Sequence, residues 1–197
     1  MCYRCGKSFV TTYEMKKIVV LVLTLQNDAK EDHVRRLLQH FHILALAPEQ
    51  SQPSKWILEV TNGPKNYLMV PFPYTENSIN EGVTKINNWE KERGGLIDGI
   101  MPLADTAVEY AAALIEAINN DTSRITHLPG MSLETAKITR NKYQFRKLVS
   151  TFSKNIECRL VKTDDDMEAI IANHDLTFPA LLKPAKGIID HVACMEH

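Results

Sequence analysis

The chain has no glycine-rich loop. Its eight glycines are scattered through 197 residues, and residues 24–28, which follow the first apolar stretch, contain none. The fingerprint G-x-G-x-x-G lets a backbone approach a pyrophosphate at a helix start. Its absence counts against the nicotinamide and flavin oxidoreductases. Cysteine is scarce: Cys2, Cys5, Cys158 and Cys194 make no disulfide framework, so a reducing cytoplasm is the expected compartment. Neither sign of charge dominates, with 23 basic against 24 acidic residues and a net charge of −1. That balance argues against a nucleic-acid partner, which calls for a clear basic excess. No apolar run reaches the roughly 18 residues of a membrane span. None of the seven histidines pairs with serine, cysteine or carboxylate in a recognisable catalytic pattern.

What is present suits a soluble globular protein of one or two domains: 44% hydrophobic and 24% charged residues. Two features near the beginning invite a false reading. Cys2-Tyr-Arg-Cys5 resembles half of a zinc finger. The two histidines that should follow at finger spacing are replaced by an apolar run, and the first histidine is His33. His191, Cys194 and His197 lie at the other end of the chain. Residues 1–14 are read as an extension, and structural zinc as a minor alternative. Met15-Lys16-Lys17 before an apolar stretch imitates a secretory signal, but no small-x-small cleavage site follows. A buried strand is the better reading.

Residues 16–25 form a dense Val/Ile/Leu run, the mark of a strand buried on both faces. Asp28 is placed to cap a helix carrying Val34, Leu37, Leu38 and Phe41 at helical spacing. A Pro/Ser/Gln loop at 48–54 leads to an expected second strand at 56–60. Residues 67–70 are a short strand ended by Pro71 and Pro73, and 76–92 a helix stopped by Gly94-Gly95. Residues 96–103 are a further strand. Asp105 then begins the helix 106–119, with Ala107, Tyr110, Ala111 and Leu114 facing inward. Strands alternating with helices predict a doubly wound α/β domain with a mainly parallel sheet over residues 15–125, whose ligand site lies at the strands' carboxyl ends.

After a linker at 120–127, Ser132 suits the start of a helix expected to reach about Phe152. A strand at 158–163, a helix at 164–173 with acids in its first turn and a strand at 176–182 complete an α+β segment over 126–187, with 188–197 as a tail. The last strand runs into Lys183, in the sequence Phe178-Pro-Ala-Leu-Leu-Lys183-Pro-Ala-Lys-Gly187. An ammonium at a strand end, followed by a flexible Pro/Gly loop, can meet phosphate oxygens; the plain alternative is a solvent-facing lysine.

Asn141-Lys142 inside a Ser-started helix, followed by a strand ending in Lys183-Pro184, resembles the opening of an ATP-grasp module. Over residues 15–187 the chain is similar to the N-terminal portion of the D-alanine–D-alanine ligase and L-amino-acid ligase branch. The resemblance implies a Rossmann-like pre-ATP-grasp domain followed by an incomplete ATP-grasp lobe. It implies ATP and Mg²⁺ as cofactors, a small amino or carboxylic acid as substrate, and acyl-phosphate chemistry. On it Lys142, Lys183 and Gly187 fall at nucleotide-phosphate positions and Asp105 near the substrate. Lys142 as a helix-surface lysine and Asp105 as a helix cap remain the alternatives. After Gly187 the family's small-residue loop, adenine-binding hinge and metal-ligating Glu and Asn have no counterpart here. A truncated ligase, inactive alone or completed by a second chain, is therefore expected, with a non-catalytic α/β binding module as the rival.

Overall fold

The computed structural model describes residues 16–24, 30–152 and 158–173, and the backbone of 180–182 and 193–195. Four strands make one all-parallel sheet: β1 (Lys17–Val22), β2 (Phe41–Pro48), β3 (Tyr67–Val70) and β4 (Gly99–Pro102), in the order β3-β2-β1-β4. Lys17 pairs with Phe41 and Val22 with Leu46, while Val19 pairs with Gly99 and Val22 with Pro102. Parallel neighbours need a crossover, and helices supply it on both faces. α1 (Glu31–Leu37) and α2 (Lys55–Val60) cover one side; α3 (Glu76–Arg93) and α4 (Val108–Asn119) cover the other.

The period of two along the strands divides the core accordingly. Val20, Val22, Leu44, Leu46, Val70 and Ile100 pack on α3 and α4 through Ile86, Trp89, Tyr110 and Leu114. Val19, Leu21, Ile43, Ala45 and Ala47 pack on α1 and α2 through Val34, Trp56, Ile57 and Val60. The doubly wound, Rossmann-like domain expected from the sequence is the fold observed.

Several elements differ from expectation. Residues 56–60 are not a strand but the helix α2, with Trp56, Ile57 and Val60 on one buried face. The strand between β1 and β3 is Phe41–Pro48, so Phe41 opens a strand instead of closing a helix. A five-residue stretch, four apolar residues and Glu59, is too short to display a period by itself, and the parallel β2–β3 pairing requires a crossover helix between them. The expected long helix from Ser132 breaks at Asn141 into α5 (Leu133–Arg140) and α6 (Lys142–Val149). Residues 158–163 are irregular, not a strand, and their last member, Thr163, starts α7 (Asp164–Ala172). There the Thr163 amide donates to Asp166 Oδ2 at 3.1 Å and the Asp166 amide to Thr163 Oγ1 at 3.2 Å. The Lys162 and Thr163 amides hold the Asp166 carboxyl below its ordinary pKa. Asp28 lies outside the described residues, and Lys30 occupies the N-cap of α1.

β5 (Ala180–Leu182) pairs antiparallel with β6 (Ala193–Met195). Among the described residues no helix is long and apolar enough to cross a membrane.

Candidate functional site

In a doubly wound sheet ligands bind where adjacent crossovers leave in opposite directions. Here that place is the carboxyl end of β1 and β4, since β1 is followed by α1 on one face and β4 by α4 on the other. β1 stays paired to its end on both sides: the Leu103 amide after β4 donates to Val22 O at 2.9 Å, and the Leu23 amide donates to Leu46 O of β2 at 2.8 Å.

An aromatic wall stands beside this edge. Tyr74, just beyond β3, donates its hydroxyl to Leu23 O at 2.5 Å. Its ring lies flat on Tyr110 of α4, with centroids 4.0 Å apart and planes 6° from parallel, and Phe72 meets it edge-on at 5.4 Å. Tyr110 in turn donates to Ser78 O at 2.8 Å. Burial pushes both phenol pKa values well above the ordinary tyrosine range, so both hydroxyls remain donors. Tyr110 is legible as a core position of α4. Tyr74 is not, because its role depends on a carbonyl 51 residues away.

Asp105 is exposed and opens a single 3-10 turn, Asp105–Ala107, directly after β4. The N-cap of that turn is Ala104, so the reading of Asp105 as an N-cap is corrected. Lys142 is exposed and is the first residue of α6. Asn141 serves both helices: it ends α5 in an extended conformation (φ −94°, ψ 99°), and its Oδ1 accepts from the Gln144 amide at 3.0 Å. Thus Lys142 stands at a helix start and not within a long helix. Anions are favoured at such an end, where amides lack intrahelical partners. Lys183 and Gly187 lie outside the described residues; Lys183 follows β5 in sequence.

Asp105 and Lys142 are brought to one end of the molecule by side chains with no motif signature. α5 lies antiparallel on α4. Glu116 Oε1, late in α4, accepts from the Leu133 amide at the start of α5 at 2.7 Å. Glu109 Oε1, early in α4, accepts from Arg140 at the end of α5 at 3.2 Å. The junction Asn141–Lys142 therefore sits toward the beginning of α4, which is the carboxyl end of β4 and the end that carries Asp105.

The opposite end of the sheet holds different features. A cavity of about 180 Å³ lined by Leu96, Ile97, Asp98, Thr126, His127 and Leu128 opens beside the amino end of β4. It lies away from the strand termini where this fold binds ligands. Beneath it Arg124 makes a two-pronged ion pair with Glu90, both bonds 2.9 Å, with side chains only 6% and 7% exposed. Glu90 Oε1 also takes the Ile97 amide at 2.7 Å. This arrangement joins the expected linker firmly to the sheet domain. Among the described residues no three His, Cys, Asp or Glu side chains converge as a metal site.

No family profile and no curated protein matches the sequence. The fold, however, resembles part of a ribonucleotide synthetase. A crystal structure of N5-carboxyaminoimidazole ribonucleotide synthetase, PurK, in its ADP complex matches 92% of this chain and 41% of its own, with a TM-score of 0.56 and 14% identity. The chain thus spans about two fifths of the synthetase's length. At this identity the likeness to PurK speaks for the fold.

Proposed function

We propose that this chain is the leading part of an ATP-grasp carboxylate–amine ligase, and that its ligand site is the carboxyl end of the sheet. The observation that carries the reading is the antiparallel seating of α5 on α4, which sets the α6 start and Lys142 at the end where Asp105 follows β4. The sequence resemblance and the shared fold with an ADP-complexed synthetase support it.

In this reading Lys142 and Lys183 neutralise nucleotide phosphates, which is the main task of a protein in phosphoryl transfer. Gly187 allows close backbone approach, and Asp105 meets the amino or carboxylic acid substrate. ATP, when bound, supplies phosphoryl transfer to a carboxylate, which activates it toward an amine. Among the described residues no three carboxylate, histidine or cysteine side chains converge as a dedicated cage for Mg²⁺, an ion that takes one or two carboxylates together with nucleotide phosphates.

Two lysine contacts without metal anchoring correspond to a Kd near the millimolar range, about 4 kcal/mol. Calorimetric titration with ATP or ADP is expected to show weak saturable binding. Lys142→Ala and Lys183→Ala should each weaken it about tenfold, the loss of one charge-assisted contact. Amino-acid-dependent ADP release by the 197-residue chain alone is expected to be undetectable. Absence of saturable binding would overturn the nucleotide reading.

One observation favours a second reading, a non-catalytic binding module. Phe145, Leu148 and Phe152, on and just after α6, are 41%, 47% and 82% exposed, an apolar row suited to a partner. That reading expects no effect of either lysine variant on nucleotide.

A further inference from the structure

The two contacts that seat α5 on α4 have matching spacing. Leu133 and Arg140 are two turns apart on α5, and their acceptors Glu116 and Glu109 are two turns apart on α4. Residues seven apart lie on one helix face and span about 10 Å of rise, so the two rungs are of equal pitch. Between the rungs Ala136 is fully buried, and Ala112 and Ala113 of α4 are nearly so. Small residues let the helices approach closely but give little to resist sliding, because an alanine face has no ridges to interlock. The two glutamate rungs, together with the Asn119–Leu128 clasp that fixes where the chain enters α5, distinguish this register from one displaced by a turn, which would carry Lys142 about 5 Å along α4.

We propose that Glu109 and Arg140 form a register lock, a positioning pair that fixes where the α6 start and Lys142 stand relative to the end of the sheet. Neither residue belongs to the phosphate contacts proposed above. Arg140 directly precedes Asn141, the residue that ends α5 and caps α6, so any shift of Arg140 is passed to Lys142 without slack. The consequence for nucleotide rests on the ligase reading; the lock itself does not.

The test is charge reversal and charge exchange. Arg140→Glu sets two carboxylates face to face, and Glu109→Arg with Arg140→Glu restores the pair in the opposite sense. Amide hydrogen exchange is read at Ala136 and Gln144, and ADP affinity is titrated in parallel. Arg140→Glu is expected to speed exchange at both amides about fivefold, a factor that corresponds to ~1 kcal/mol. The exchanged pair should return both to the original rates. ADP binding should weaken by a similar factor in Arg140→Glu, recover in the exchanged pair, and show no Arg140 effect in a Lys142→Ala background. Exchange rates unchanged by Arg140→Glu would overturn the lock. Faster exchange with unaltered ADP affinity would overturn the positioning role and leave the nucleotide reading standing. If the unaltered chain binds no ADP, the nucleotide reading falls, and the exchange rates alone decide the lock.

Discussion

Gly82 shows how a neighbour can reverse a residue's intrinsic preference. Glycine inside a helix ordinarily costs roughly 1 kcal/mol relative to alanine. In α3 a Cβ at Gly82 would stand 2.6 Å from Tyr110 Oη and 2.9 Å from Leu114 Cδ2. Tyr110 is held by its stack on Tyr74 and its bond to Ser78 O, so it has little room to yield. Overpacking of this kind costs about 1–3 kcal/mol. Gly82→Ala is therefore expected to lower the urea midpoint; a midpoint at or above that of the original chain would show that the stack gives way freely. The same two tyrosines carry a pH signature. Burial raises both pKa values in the fold, so the unfolded chain ionises first, near pH 10. Their contribution is intact below that pH and is lost as pH rises toward the folded values. A Tyr74→Phe, Tyr110→Phe chain should start less stable, having lost the bonds to Leu23 O and Ser78 O, and should fall less steeply above pH 10. Parallel alkaline limbs for the two proteins would remove phenol burial as the cause.

At the scale of elements, the loop after α4 is tied down by an ion pair and an amide clasp. Asn119 donates to Leu128 O at 3.0 Å and accepts from the Leu128 amide at 2.7 Å, closing the loop on itself. Gly130 then passes Ile115 so closely that a Cβ would lie 2.5 Å from Ile115 Cδ1. Arg124 anchors the same loop to Glu90 of α3. Removing one partner of a buried pair strands the other charge, at a cost of about 3–5 kcal/mol. Arg124→Ala should show that loss in thermal unfolding. Glu90→Gln with Arg124→Met leaves no buried charge and keeps an acceptor for the Ile97 amide, so it should recover part of it. A double variant no better than Arg124→Ala would mean that the loop needs the guanidinium itself.

For the molecule as a whole, the two cores are built from the four-stranded sheet and the helices on its faces. Among the described residues the earliest core contributor is Ile18, and residues 1–14 show no apolar period. A chain beginning at Met15 is therefore expected to melt with the full chain in calorimetry. A large drop in melting temperature, or one tightly bound zinc per full-length chain, would restore Cys2 and Cys5 to a structural role.

Periodicity and local chemistry were enough to determine much of this protein from sequence. The apolar run of β1, the capped helix α3 closed by the left-handed Gly94 (φ 70°), the inward face of α4 and the start of α5 at Ser132 are all readable locally. From these the doubly wound class follows. The tertiary structure alone decided what depends on distant partners. Residues 41–48 are a strand because β1 and β3 flank them, and 56–60 a helix because parallel pairing demands a crossover. Asn141 breaks a continuous helical pattern, an outcome the local sequence does not announce since asparagine serves a cap as readily as a surface position. The placing of the Lys142 end on the same side of the molecule as Asp105 depends on Glu109 and Glu116, which read as ordinary solvent-facing acids until α5 lies against them. Short-range patterns record which face of an element is apolar; they do not record which element will cover it, because burial and ion pairing are set by residues far apart in the chain.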